Sequence, residues 1–173
     1  MNAADAVRRL LHKLAFVMPG GATVRPWLHR RRGVQIGRNV WIAQLVYIDE
    51  LHPEHVRIGD NCTIGLRSSI ITHFYWGPRR PTSKGDVVIE NDVFVGPHCI
   101  ILPNVRIGEG AVIRAGTVVS RNVPAHTVWG APAAGALGVA SVPLTAEHPY
   151  EEFVRGLRLT RSGAGAESRN ASM

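Results

Sequence analysis

The chain has 173 residues, 45% of them hydrophobic, enough for one buried core and too many for a mainly disordered chain. No run of about 18 apolar residues occurs, which excludes a membrane-spanning helix. The formal net charge is +7, yet residues 1–34 hold seven basic groups and one acid while residues 35–173 hold thirteen and twelve. The excess therefore belongs to an N-terminal arm.

Residues 3–18 read as a helix. Val7, Leu10, Leu11, Leu14 and Met18 share one face, and Arg8, Arg9, His12 and Lys13 lie elsewhere. Pro19-Gly20-Gly21 stops it. Those basic residues interrupt the apolar run, so no secretory leader is expected. Arg30-Arg31-Arg32 follows. The helix either caps the body of the protein or lies on an anionic membrane surface, and the composition suits both. The body carries no basic stripe interleaved with aromatics, so nucleic acid is not an expected partner.

From residue 34 a six-residue period takes over. Ile36, Ile42 and Ile48 form one run, Ile58, Ile64 and Ile70 a second, and Ile89, Val95, Ile101, Ile107, Ile113 and Val119 a third. Two residues before each stands a small or β-branched residue, such as Val34, Val46, Cys62, Ser68, Cys99 and Ala111. Gly often follows the key position, and Asp, Asn or Gly comes soon after. A period of six fits neither a helix nor one long strand. It fits a short strand and a sharp bend, with alternate residues pointing inward. Three sides make a triangular coil, so twelve hexads make four coils. The phase breaks at residues 49–55 and 72–86, after hexads three and six. Both insertions therefore leave from one corner of the prism.

These motifs resemble the hexapeptide-repeat acyltransferases over roughly residues 34–134. The resemblance rests on Ile58-Gly59-Asp60-Asn61-Cys62-Thr63-Ile64-Gly65, Ile101-Leu102-Pro103-Asn104-Val105-Arg106-Ile107-Gly108, Ala115-Gly116-Thr117-Val118-Val119, Val123-Pro124-Ala125-His126-Thr127 and Gly130-Ala131-Pro132-Ala133. It implies an all-β, left-handed parallel β-helix of about four coils with an N-terminal helical cap. Physics alone expects right-handed crossovers, so the hand comes from the resemblance. The expected division is a cap and basic arm at 1–33, a β-helix at 34–123 with the loop 72–86, a loop at 124–138, and a partly disordered tail at 139–173.

The resemblance also implies acetyl transfer from acetyl-CoA to the hydroxyl of a sugar or glycan precursor, without a metal. It implies a homotrimer with sites between subunits and a cytoplasmic enzyme, with the basic arm suited to the inner membrane face. His73, where the chain leaves the sixth hexad, matches the family's general base. Cys62 and Cys99 occupy inward positions on different sides and are expected to be inert. Pro97 and Ala115, one coil apart, would line the pantetheine. Ser120 and Arg121 replace a family Thr-Lys pair near the nucleotide phosphates, and Gly130 and Pro132 match the loop near the adenine. In the long loop, Trp76 suits stacking on a sugar ring and Arg79 suits an acidic group. A γ-type carbonic anhydrase shares the fold, but its second His is replaced by Pro103. A non-catalytic scaffold is the other alternative.

Overall fold

A left-handed backbone conformation recurs along the chain. Asn39, Leu45, Asn61, Arg67, Asp92, His98 and Asn104 have φ between 53° and 64°, and each lies three residues past a key Ile or Val. Gly110 and Gly116 continue the series. Such a residue turns the chain sharply at a corner, which is why Asn, Asp and Gly are frequent there. The computed structural model describes residues 3–73, 85–132, 136 and 138–159, in two units divided after Ala131.

In the first unit the corners join short strands into stacked triangular coils. The first coil holds β1 (Gln35–Ile36), β2 (Trp41–Ile42) and β3 (Tyr47–Ile48). The second holds β4 (Val56–Ile58), β5 (Thr63–Ile64) and β6 (Ser69–Ile70). The third holds β7 (Val87–Ile89), β8 (Phe94–Val95) and β9 (Ile100–Ile101), and the fourth β10 (Arg106–Ile107), β11 (Val112–Ile113) and β12 (Val118–Val119). Each side is a parallel sheet, in the orders β1-β4-β7-β10, β2-β5-β8-β11 and β3-β6-β9-β12. We call them the first, second and third sheets. The register pairs one key residue with the next, as in Ile42↔Ile64, Ile64↔Val95 and Val95↔Ile113.

Every key residue is buried except Ile36, which is partly buried, and so is every residue two positions earlier, Ser68 and Thr117 included. The axis is thus filled mainly by β-branched side chains, which suit the strand and pack closely. Gly after the key position lets the coils approach. A Cβ on Gly65 would lie 2.5 Å from the Gly96 carbonyl carbon, and one on Gly96 2.6 Å from the Ala115 nitrogen.

The β-helix runs further than the expected limit at residue 123. Val123 bridges to Ile107, and β13 (Val128–Trp129) pairs with β11, adding part of a fifth coil. The period survives there as Val123 and Trp129, with Trp in place of the aliphatic residue.

Helices α1 (Ala3–Val17) and α2 (Val24–Arg31) close the other end, α2 being an element the periodicity did not reveal. The first coil has no neighbour beyond it, so its strand carbonyls need other donors. Three arginines supply them. Arg30 Nε donates to Ile36 O (3.0 Å), Arg25 Nε to Ile42 O (2.6 Å) and Arg32 Nη2 to Ile48 O (2.8 Å), one on each side of the triangle. Much of the N-terminal positive charge is thereby committed to the fold.

The expected apolar face of α1 is not the face that packs. His12 and Ala15 are buried, with Leu11 and Phe16 partly so, while Val7, Leu10, Leu14, Val17 and Met18 are exposed. A polar network draws that side in. Arg32 Nη1 donates to His12 Nδ1 (2.7 Å) and to His29 Nδ1 (3.3 Å). Burial first, then the Arg32 charge, lowers the His12 pKa to about 4 and that of His29 to about 3.

In the second unit, β14 (Gly138–Ala140) pairs antiparallel with β15 (Leu157–Leu159), and α3 (Tyr150–Gly156) lies between them in sequence. The stretch 139–159, expected as tail, therefore contains ordered elements too short for a periodicity reading. Residues 160–173 lie outside the described residues. No helix among the described residues is long and apolar enough to cross a membrane.

Candidate active site

Both insertions leave from the corner between the third and first sheets, as the phase breaks imply. Asp49 follows β3 in the first coil, and Ile71, Thr72 and His73 follow β6 in the second. The Asp49 N–H donates to Ile70 O at 2.9 Å, which sets the two coil ends side by side. There His73 Nδ1 meets Asp49 Oδ2 at 2.6 Å.

Asp49 is wholly buried. Its Oδ1 accepts the N–H groups of Leu51 (2.9 Å) and His52 (3.0 Å), and its Oδ2 also accepts that of Thr72 (2.9 Å). Burial pushes the carboxyl pKa up, but the N–H donors of Thr72 and His52, with the side chains of Thr72 and His73, outweigh it. The net shift is below the usual carboxylate value. Asp49 is therefore an anion held at fixed orientation. An anion facing Nδ1 favours the tautomer with the proton there and leaves the lone pair on Nε2.

The first insertion continues into a 3-10 turn, Pro53–His55. The His52 ring stands edge-on to that of His73, with centroids 5.6 Å apart. His55 Nδ1 lies 2.7 Å from Asp86 Oδ1. Among the described residues, His52, Glu54 and His55 bring potential ligand atoms within 4.8 Å of one another.

The second insertion closes tightly at its base. Gly85 has φ +79°, and a Cβ there would sit 1.7 Å from Thr72 O. Its N–H donates to Asn104 Oδ1 at 3.2 Å. Trp76 and Arg79 lie outside the described residues.

The expected cofactor residues fall at two corners. Pro97, Ala115 and Gly130 follow β8, β11 and β13, between the second and third sheets. Pro97 and Ala115 stack as expected, with the Gly116 N–H donating to Pro97 O at 2.9 Å. A Cβ on Gly130 would meet Arg114 and Thr117. Ser120 and Arg121 follow β12, at the same corner as His73 but two coils away. The Arg121 guanidinium lies over the Trp129 ring, 5.3 Å from its centre. Pro132 begins the second unit. One chain thus unites His73 with Asp49 but leaves His73 and the column of Pro97 and Ala115 at different corners.

Cys62 and Cys99 are buried in the second and third sheets, and burial raises both thiol pKa values. Neither has the low-pKa, accessible character of a nucleophile.

Asp49 is the site residue that motif reading missed. A signal was present: position 49 follows a key Ile, stacks on position 71, and carries an acid.

Residues 86–121 match the family described as bacterial transferase hexapeptide (six repeats), and residues 55–72 match the hexapeptide repeat of succinyl-transferase. The chain is 35% identical over 102 residues to the putative acetyltransferase YvoF of Bacillus subtilis, covering 58% of each chain. It is 52% identical over 52 residues to a 2,3,4,5-tetrahydropyridine-2,6-dicarboxylate N-acetyltransferase of Enterococcus faecalis, covering 30% of this chain and 22% of that one. The matches thus span less than two thirds of these relatives. The fold is that of the hexapeptide-repeat acetyltransferase VCA0836 of Vibrio cholerae, solved with acetyl coenzyme A. The TM-score is 0.57 at 24% identity, over 73% of this chain and 81% of that one. Repeat, coil geometry and relatives agree in likening the chain to the hexapeptide-repeat acyltransferases.

Proposed function

We propose that the protein transfers the acetyl group of acetyl-CoA directly to a hydroxyl of a sugar or glycan precursor, with His73 as general base. The observation that carries this reading is the 2.6 Å contact between His73 Nδ1 and the buried anion Asp49. An alcohol is a poor nucleophile until a base takes its proton. His73 Nε2 accepts that proton as the oxygen attacks the thioester carbonyl. The tetrahedral oxyanion requires N–H donors. Its collapse breaks the carbon–sulfur bond, and the imidazolium returns the proton to the departing CoA sulfur. Asp49 stays ionised throughout, fixing the ring and stabilising its cationic form. The raised pKa values of Cys62 and Cys99 argue against an acyl-cysteine.

Pro97 and Ala115 are assigned to the pantetheine, Ser120 and Arg121 to the phosphates, and Gly130 and Pro132 to the adenine end. Trp76 and Arg79 are assigned to the acceptor. Because His73 and the Pro97 column occupy different corners, a complete site requires a neighbouring subunit. The outer faces of the sheets support this. The second sheet exposes Trp41, Phe94, Val112 and Val128, and the third exposes Ile100 and Val118. The first sheet instead carries ion pairs such as Arg106–Glu90. Two apolar faces and one charged face suit a cyclic homotrimer.

The test combines calorimetric titration with acetyl-CoA, mass in solution, and release of CoA thiol with a panel of sugars. We expect one site per chain in a trimer. His73→Ala should lower transfer by about 100-fold or more while preserving CoA binding. A folded trimer that binds no acetyl-CoA would overturn the assignment in favour of a scaffold.

A further inference from the structure

Helix α1 has an apolar row that the fold does not use. Val7, Leu10, Leu14 and Val17 recur at helical spacing, and Leu10 and Val17 are each 58% exposed. At about 100° per residue, this row is centred roughly 150° from the side buried against the first coil. That buried side is held elsewhere. The His12 ring packs edge-on to Tyr47, with centroids 5.2 Å apart, and Phe16 O accepts the Leu45 N–H at 2.9 Å. The row therefore faces away from the coil it caps.

The charge beside the row is positive. Arg9 and Lys13 lie along one border, and Arg8 is also exposed. Glu50 lies 3.9 Å from Arg9. Unlike Arg25, Arg30 and Arg32, these cations do not cap strand carbonyls. On α2, Trp27 is 50% exposed, with the Arg31 guanidinium 5.3 Å from its ring centre.

We propose that α1 docks the protein on an anionic membrane surface. Val7, Leu10, Leu14 and Val17 enter the headgroup–acyl boundary, and Arg9 and Lys13 lie among the lipid phosphates. Apolar burial and cation–phosphate attraction add at such a surface. A second copy of this helix would instead bring cation against cation. In the homotrimer, on which this point alone rests, three-fold symmetry sets the three helices at one end. Their binding is then multivalent.

The test is sedimentation of the 173-residue protein with vesicles of phosphatidylcholine, alone or mixed with phosphatidylglycerol. It needs neither acceptor nor activity, so it can fail while the acetyltransferase reading stands. We expect at least about tenfold tighter binding to the anionic vesicles, weakened by salt. Leu10→Asp with Leu14→Asp should abolish binding, and Arg9→Glu with Lys13→Glu should weaken it, both without changing the melting temperature or the mass in solution. No binding to anionic vesicles overturns the proposal, as does binding that survives the paired Asp substitutions. A smaller mass for the Leu10→Asp, Leu14→Asp protein also overturns it, since the row would then be a subunit contact.

Discussion

His73 Nδ1 and Asp49 Oδ2 lie 2.6 Å apart although they belong to successive coils, 24 residues apart in the chain. The contact depends on the phase of the repeat. Asp49 follows Ile48, His73 comes three residues after Ile70, and Ile48 and Ile70 are register partners. Moving either insertion to another corner would part them.

Asp49→Asn should preserve the fold and acetyl-CoA binding and lower kcat by about 10- to 100-fold. Asn can offer its amide donor to Nδ1 and so favour the other tautomer. The pH–rate profile should change while KM for acetyl-CoA changes little. With His73→Ala the two effects should be far from additive, because one acts through the other. A purely structural Asp49 would instead show as loss of melting temperature with an unaltered pH profile.

The base of the long loop makes a second point of sensitivity. Gly85→Ala places a methyl group against Thr72 O at a backbone angle that disfavours any side chain. The backbone strain alone is about 1–3 kcal/mol. Since Thr72 directly precedes His73 and donates to Asp49, activity should fall more steeply than stability. Thermal melting and CoA-release rates on the same sample measure both. Unchanged kinetics would separate the loop base from the dyad.

The arginine cap should prove unequal in its three members. Arg32 is buried and serves Ile48 O, Asp49 O and two histidines. Arg32→Met should cost about 2–4 kcal/mol, because it leaves buried acceptors unsatisfied. Arg30 lies at the surface, and its bonds to Ile36 O and Gly37 O can be replaced by water. Arg30→Ala should cost less than about 1 kcal/mol. Urea unfolding of the two variants checks the order.

Acid should loosen the cap. The native His12 and His29 hold pKa values of about 4 and about 3, below the ordinary 6.5. Between these limits the unfolded chain binds protons that the native chain does not, so stability falls as pH falls. The contribution is complete above about pH 6.5 and declines toward pH 4. His12→Gln should flatten that slope in urea midpoints recorded across the interval. An unaltered slope would sink the assignment to His12.

The coil body was legible because one row of Ile and Val states the period, the corners and the two breaks at once. Cys62 and Cys99 fell where that row put them, inward and on different sides. The cap was less legible. Leu10 and Leu14 look like core residues when only hydrophobicity is weighed, but Arg32, reaching for His12 and the Ile48 carbonyl, turns the other side inward. Asp49 was missed because it lies outside every conventional motif. Its partner lies in another coil, so only register makes the pair visible. Short elements such as β14 and α3 carry too few residues for a period to emerge.

The three arginines on Ile36, Ile42 and Ile48 also decide where the stack ends. An open coil end is a ready template for another molecule's strand, and parallel coils could in principle extend end to end without limit. A guanidinium on each of the three carbonyls leaves an incoming backbone N–H no acceptor at those positions. The cap is therefore a chain terminator for self-assembly, and a protein stripped of it should tend toward filaments before it tends toward unfolding.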